Sequence, residues 1–473
     1  MRTARVSLLL VALLCRPARG ADAAPVIPDA DRALVREIYQ ELVETDTTHS
    51  TGSTTAAAAA VATRLRAAGL PDADIAELGP SPKKGNLVAR LHGTGAQPPL
   101  ILLAHLDVVE AKREDWSVDP FVLLEKDGYF YGRGTQDDKA MAAIFVASVL
   151  RMQREKTPLA RDVILVLTAD EEAGDENGVE WLLREHRPLV DGALVLNEGG
   201  GGWMRQGKYL ITAVQASEKT YMDYTLTVTD KGGHSSLPTK ENAIYRLAAA
   251  LAKVQKQSFP VELNDVTREF LRRAAGTESK EVARNMRALA ANEKDTVAAA
   301  RLSVEPRYNA LLHTTCVATQ VEAGHARNAL PQSAVANVNC RILPGHSAEE
   351  VRQALVAAIA DPKVDVKLGD KEVAGPRAQI DPAFLAAVER VNVRMYPDVP
   401  VVPTMSSGAT DSKYYRLAGI PAYGVSGIFS DIDDVRAHGR DERLGVKQFY
   451  EGQEFLWRLI VELAVPPPAD LAH

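Results

Sequence analysis

Residues 163–174 read Val-Ile-Leu-Val-Leu-Thr-Ala-Asp-Glu-Glu-Ala-Gly. The opening run is apolar or β-branched without polar alternation, which predicts a strand buried on both faces. Asp170, Glu171 and Glu172 follow directly. Carboxylates held side by side at the end of a buried strand repel one another. They are costly to keep together unless a cation neutralises them. A solvated acidic loop is the ordinary alternative. Further runs at 87–91, 99–104 and 193–196 have the same apolar character, with helical stretches at 139–154 and 179–185 between them. Strands alternating with helices predict an α/β fold with a largely parallel sheet.

Outward from that block the pattern changes. Residues 221–229 alternate, as in a strand with one wet face. A helix is expected over 242–255, strands over 313–321 and 334–343, a helix over 348–360 and a strand over 364–368. The order βαββαβ is ferredoxin-like. Between its first helix and second strand lies a charged, Ala-rich helical insertion at 266–301, which the sequence alone does not place. Helical character returns at 381–395 and 446–463, flanking a strand at 422–425. The expected organisation is a leader over 1–20, an α/β domain over 21–213 and 376–473, and an inserted α+β domain over 214–375. Towards the N-terminus, 29–68 reads as helical and is stopped by Gly69-Leu70-Pro71.

The chain has 473 residues, 46% hydrophobic and 25% charged, the composition of a soluble globular protein. At about 100–200 residues per domain it holds two or three domains. The net charge of −7, with no basic run, argues against nucleic acid or an acidic membrane surface as partner. Arg2 and Arg5, the apolar stretch 6–14 and Ala18-Arg19-Gly20-Ala21 form a signal-peptide pattern too short for a membrane span. A secreted or periplasmic protein, free of the membrane after cleavage, is expected. Cys15 falls in the leader. Cys316 and Cys340 fall on two expected strands of a hairpin, where an oxidising compartment would allow them to pair. Small apolar neighbours (Ala336, Val338, Ile342) favour two unpaired core cysteines instead.

Four more clusters carry chemistry. Alternation along an extended chain puts His105 and Asp107 on one side, so Asp107 can accept a hydrogen bond from the ring nitrogen that His105 does not give to a metal. Gly132 and Gly134 allow a tight turn before Asp137-Asp138 at a helix start, where capping is the alternative role. Glu198 precedes a glycine run that lets backbone approach a ligand. His438 opens His-Gly-Arg-Asp-Glu in the last α/β segment. Alone, each has an ordinary alternative: a surface histidine, a helix cap, a flexible turn, a polar loop. Together they offer oxygen and nitrogen ligands and no cysteine, which suits zinc, with manganese or cobalt as substitutes. His105, Asp137, Glu172, Glu198 and His438 exceed the set typical of one catalytic zinc. They suit two metals about 3.5–4 Å apart sharing a carboxylate.

The motifs AHLDVV (104–109), GRGTQDDK (132–139), ADEEAG (169–174), NEGG (197–200), GGHSS (232–236) and AHGRDE (437–442) resemble, in this order, those of the M20 metallopeptidases. That family includes glutamate carboxypeptidase, aminoacylase, succinyl-diaminopimelate desuccinylase and carboxypeptidase S. The resemblance covers nearly the whole mature chain. It implies a two-metal α/β hydrolase whose ferredoxin-like insertion is a lid. Asp137 would bridge two divalent ions, zinc first and cobalt or manganese as substitutes. His105 and Glu198 would complete one site, Glu172 and His438 the other. Glu171 would be general base for the water between the metals, and Asp107 would orient His105. His234 would reach the site on closure and bind the oxyanion. Asn328 and Arg341 match substrate-contacting positions, Arg341 being suited to a carboxylate. Thr410 and Asp411 match a loop near the metals, where they would help bind substrate. Glu rather than Asp at 198 points to deacylases and carboxypeptidases. The implied substrates are peptides or N-acyl amino acids, cut at the amide beside a free carboxylate. An aminopeptidase or dipeptidase is the alternative. A binding protein that has lost catalysis is a remote one, since every ligand and base position is filled. Lid-to-lid homodimers occur in the family. The 266–301 insertion, similar to that of carboxypeptidase S-like members, bears on whether one forms here.

Overall fold

The computed structural model describes residues 27–173, 176–369 and 380–466. The leader expected over 1–20 with Cys15 and the expected boundary at 375–376 lie outside the described residues. Among the described residues, no helix is long and apolar enough to cross a membrane.

The apolar runs form one central sheet. Its order is Ile75–Leu78, Asn86–Leu91, Val163–Thr168, Leu100–His105, Leu194–Asn197, Ala422–Gly424, Lys208–Glu218, Gly202–Arg205 and Phe429–Asp431, with Val401–Ser406 also paired to Lys208–Glu218. Along Leu100–His105, Leu100, Leu102 and Ala104 enter a core beneath the helix Lys139–Glu155. Ile101 and Leu103 enter another beneath the helices Gly178–Glu185 and Ser412–Leu417. Successive side chains feed opposite cores, so the strand shows no polar alternation.

The sheet is mixed rather than largely parallel. Val163–Thr168, Leu100–His105, Leu194–Asn197 and Ala422–Gly424 run parallel. The strands Ile75–Leu78 and Asn86–Leu91 are antiparallel additions at one edge. Gly202–Arg205 pairs antiparallel with Lys208–Glu218. Gln206 and Gly207 between them take φ of 51° and 79°, which fits a two-residue hairpin turn. Such turns forbid a parallel pair.

A second sheet has the order Thr315–Ala323, Ser333–Ile342, Thr220–Thr229, Asp365–Leu368, all antiparallel. Met222, Tyr224, Leu226 and Val228 point inward beneath the helices Ala243–Lys256 and Ala348–Ile359. Counted along the chain, the strand order is that of a βαββαβ unit.

Two further expectations change, and the insertion finds its place. The helix expected over 29–68 is two, Asp29–Glu44 and Thr54–Ala67. Between them Thr47 donates to the Leu106 carbonyl at 2.7 Å and Val108 N–H donates to the Thr47 carbonyl at 3.3 Å. These tertiary bonds tie the segment to the central sheet. The insertion forms the helices Asp265–Ala274, Lys280–Ala291, Thr296–Leu302 and Pro306–Leu312. Its apolar faces share a core with Ile211, Ala213 and Val402, so it packs on the central sheet. Cys316 and Cys340, favoured above as unpaired, form a disulfide. The register sets them directly opposite, with Cα atoms 4.1 Å apart, within the reach of one bridge.

Candidate metal centre

His105 ends the strand Leu100–His105 and lies beside Thr168, the end of its parallel neighbour. Glu171 and Glu172 lie just beyond Thr168. Glu198 follows Leu194–Asn197, the neighbour on the other side. Adjacent parallel strands thus deliver ligands to one sheet edge, at their carboxyl ends. Asp137 enters from the turn before Lys139–Glu155, and His438 from the loop before the last helix, Val446–Ala464. His438 takes a φ of 62°.

The side chains form two ligand groups, His105–Asp137–Glu198 and Asp137–Glu172–His438, each with donor atoms within 4.8 Å of one another. Asp137 belongs to both. Its Oδ1 lies 3.0 Å from His105 Nε2 and its Oδ2 3.2 Å from His438 Nε2. Glu198 Oε1 is 4.0 Å from His105 Nε2, and Glu172 Oε1 is 3.0 Å from His438 Nε2. One carboxylate facing two imidazoles, each joined by a further carboxylate, is the donor set and arrangement that a pair of divalent ions requires.

Residues 101–462 match the family described as Peptidase family M20/M25/M40. The chain belongs to that family. It is 30% identical over 374 residues to the human N-fatty-acyl-amino acid synthase/hydrolase PM20D1, an alignment covering 76% of this chain and 73% of that protein. It shares its fold with an M20 family metallo-carboxypeptidase, Sso-CP2 from Sulfolobus solfataricus. The TM-score is 0.67 at 16% identity, over 90% of this chain and 98% of that one. The Bacillus subtilis YXEP protein, a dinuclear metal-binding M20 peptidase, superposes with a TM-score of 0.59 at 14% identity, over 92% and 99% of the two chains.

In this M20 hydrolase the acidic side chains are held against their own repulsion. Burial, then the neighbouring Asp137 and Glu171 carboxylates, push Glu198 well above the usual carboxylate range. Burial, with Asp411 and Glu172 adding to it, does the same to Glu171. Hydrogen bonds that it donates to Asp137 and Glu172 raise His438 to about 10. Burial opposes a rise at His105, but Asp107 and Asp137 carry it well above its ordinary value. Such a set is short of positive charge, and divalent cations supply it.

The residues around the ligands sort into roles. Asp107 was expected to bond His105 through its carboxylate. Instead its backbone carbonyl lies 3.0 Å from Nδ1, and its carboxylate oxygen 3.7 Å. The ring NH on Nδ1 leaves Nε2 for a metal. The Asp107 carboxylate accepts the N–H groups of Glu171 and Glu172 at 3.1 and 3.0 Å, fixing the acidic loop. Asp170 bonds Lys84 and the Glu176 N–H, so it anchors the loop away from the ligands. Asp138 precedes its helix without a side-chain capping bond.

Sequence reasoning quoted Arg133 and Glu442 but gave them no part. The buried Glu442 carboxylate pairs with Arg133 at 2.6 Å and accepts the N–H groups of Gln136 and Asp137 at 2.7 and 3.2 Å. Arg133 in turn donates to the Gly439 carbonyl at 3.1 Å. This buried pair locks the Asp137 turn to the His438 loop. Its only trace in the sequence was its presence in two ligand motifs.

Asp137, Glu171, Glu172, Glu198 and His438 open on a cleft of about 590 Å³, whose other wall carries Lys219, Tyr221, Arg341 and Lys413. Arg341 lies over the Tyr221 ring at 4.6 Å and donates to the Ser407 carbonyl at 3.2 Å. Burial, then the charge of Arg341, lowers Lys219 to about 7. Thr410 and Asp411 were expected to meet substrate. Both are buried and engaged elsewhere: Thr410 donates twice to Glu218, and Asp411 accepts from Asn177 at 2.6 Å and Thr168 at 3.2 Å. They brace the loop instead. His234 and Asn328 sit together at the pairing of Gly233–His234 with Ala329–Leu330, exposed and apart from the cleft lining.

Proposed function

We propose that the protein hydrolyses the amide bond beside a free carboxylate, in peptides or N-acyl amino acids. The observation that carries this is the cleft, whose lining joins residues of the ligand groups with Arg341. A planar guanidinium suits a carboxylate. Two divalent ions at His105, Asp137, Glu172, Glu198 and His438 would supply Lewis-acid polarisation of water and carbonyl. Glu171 takes the proton of the attacking water and returns it to the leaving nitrogen. Arg341 holds the carboxylate and so sets the amide against the ligand groups. The four-stranded sheet acts as a lid, whose movement would bring His234 and Asn328 to the substrate. The names of PM20D1 and of the Sulfolobus metallo-carboxypeptidase fit this chemistry. The Cys316–Cys340 bond and the apolar stretch at 6–14 support a chain exported from the reducing cytosol.

Two dipeptides test the substrate class with zinc present, one blocked at its N-terminus and one amidated at its C-terminus. Cleavage of the first alone is expected. Cleavage of the amidated one alone would point to recognition of a free amine and overturn the carboxylate reading.

A further inference from the structure

A single residue, Lys219, stands between the strand Lys208–Glu218 of the central sheet and the strand Thr220–Thr229 of the four-stranded sheet. It is only 1% exposed, and nothing in the proposed chemistry uses it. Its Nζ donates to the His313 carbonyl at 2.5 Å. Burial and Arg341 lower the amine to about 7, and in either protonation state it keeps an N–H for that carbonyl. His313 lies between the last helix of the insertion, Pro306–Leu312, and the strand Thr315–Ala323. Its ring Nδ1 stands 2.7 Å from the Phe259 carbonyl, and its Nε2 stands 3.1 Å from the Ser303 hydroxyl. Phe259 belongs to the stretch 257–264, which leads from the helix Ala243–Lys256 to the insertion. Three passages between the four-stranded sheet with its helices and the rest of the molecule are thus tied in one relay, Lys219 to His313 to Phe259.

The relay bears directly on Arg341. In the sheet register Arg341 lies opposite Tyr221 on one side and Thr315 on the other. The strands that carry these two neighbours begin just after Lys219 and just after His313–Thr314. Both strands that flank Arg341 therefore start at the tie. The Lys219 N–H also donates to the Ser406 carbonyl at 3.0 Å, and the next carbonyl, that of Ser407, accepts from Arg341 at 3.2 Å. The metal-ligand groups contain no residue of the four-stranded sheet, so the tie can move Arg341 without moving them.

We infer that Lys219 is a positioning residue which, by joining these passages, fixes where Arg341 stands against the metal-ligand groups. The inference rests on the carboxylate-binding role given to Arg341 above. Cutting the relay frees the starts of both flanking strands, and the guanidinium then meets the substrate carboxylate in a poorer geometry. The loss falls on KM. The ligand groups and Glu171 keep their places, so kcat and metal content are nearly unchanged.

The test is a double-mutant cycle on the N-terminally blocked dipeptide, with zinc-loaded native protein, Lys219→Met, Arg341→Met and the double variant. Lys219→Met is expected to raise KM about tenfold, with kcat within about threefold of native and zinc content unchanged. Arg341→Met should raise KM by at least as much, and the double variant should be no worse than Arg341→Met alone. A folded Lys219→Met with native KM, or with a loss confined to kcat, overturns the positioning role and leaves the hydrolase function standing. A further rise of the same size in the double variant would mean that Lys219 acts apart from Arg341, and also overturns it. If the native protein does not cleave the dipeptide, or Arg341→Met leaves KM unchanged, the carboxylate reading falls and this inference with it. Should Lys219→Met not fold, His313→Leu, which cuts the relay at its second link, is read in the same cycle by the same criteria.

Discussion

Glu171 is placed by its neighbours more than by itself. Its N–H is held by Asp107, and its carboxylate opens on the cleft beside the ligand groups. It is the one acid in the run 170–172 that is neither a ligand nor an anchor. Replacing it by Gln is expected to lower kcat about a thousandfold while metal content, measured by mass spectrometry, stays at the native level. A parallel fall in bound metal would make it a ligand instead. The candidate ligand groups were legible because each member sits in a short motif, and three of them, His105, Glu172 and Glu198, end or follow apolar strands. The part played by Glu442 was not, because its partners Arg133 and Asp137 lie about three hundred residues away in the chain. Asp107 was half legible. Spacing placed it near His105, but which of its oxygens meets the ring depends on where the following loop directs its N–H groups.

Among the elements, those whose burial is complete were the easiest to read. Leu100–His105 and Val163–Thr168 are apolar on both faces, and nothing else explains such runs. The break at 45–53 was missed although Asp46, Ser50 and Gly52 are turn residues: Asp46 accepts from Thr48 and Thr51, and Leu106 and Val108 tie the segment to the sheet. The insertion had amphipathic helices, but its seat is set by Ile211 and Val402. The disulfide ties two adjacent strands across 24 residues. Changing Cys316 and Cys340 together to Ser is expected to lower the unfolding free energy by up to about 3 kcal/mol, as read in urea titrations. An unchanged midpoint would mean that the paired strands gain nothing from the bond.

A second element-level contact has a pH signature. His346, before the helix Ala348–Ile359, bonds Glu262 at 2.7 Å and faces Glu350 at 3.5 Å, and these carboxylates raise its pKa. Its stabilisation is fully present below the unfolded value of about 6.5 and is lost as pH rises through the raised folded value. The Tm gap between the native protein and His346→Ala should be clear at pH 6 and close by pH 9. The contribution is modest, because the groups are partly exposed. A gap that is constant with pH would assign the loss to packing.

At the scale of the molecule, ligands from the central sheet, from the turn before Lys139–Glu155 and from the loop before the last helix meet at one sheet edge. Their mutual repulsion is a standing cost that bound cations relieve. Stripping metal with a chelator is expected to abolish turnover and to lower Tm, and added zinc should restore both. At a hundredfold excess over Kd, one ion would stabilise by about 2.7 kcal/mol. Loss of activity without any shift in Tm would separate metal binding from stability.

The clamp between Arg133 and Glu442 also has a bearing on biosynthesis. A ribosome makes His105, Asp137, Glu172 and Glu198 long before it reaches His438 and Glu442. Until then, the turn carrying Asp137 lacks the carboxylate that fixes its backbone, and the shared ligand faces one imidazole instead of two. A nascent chain, or one stopped short of residue 438, would carry most of the chemistry and none of the hydrolysis.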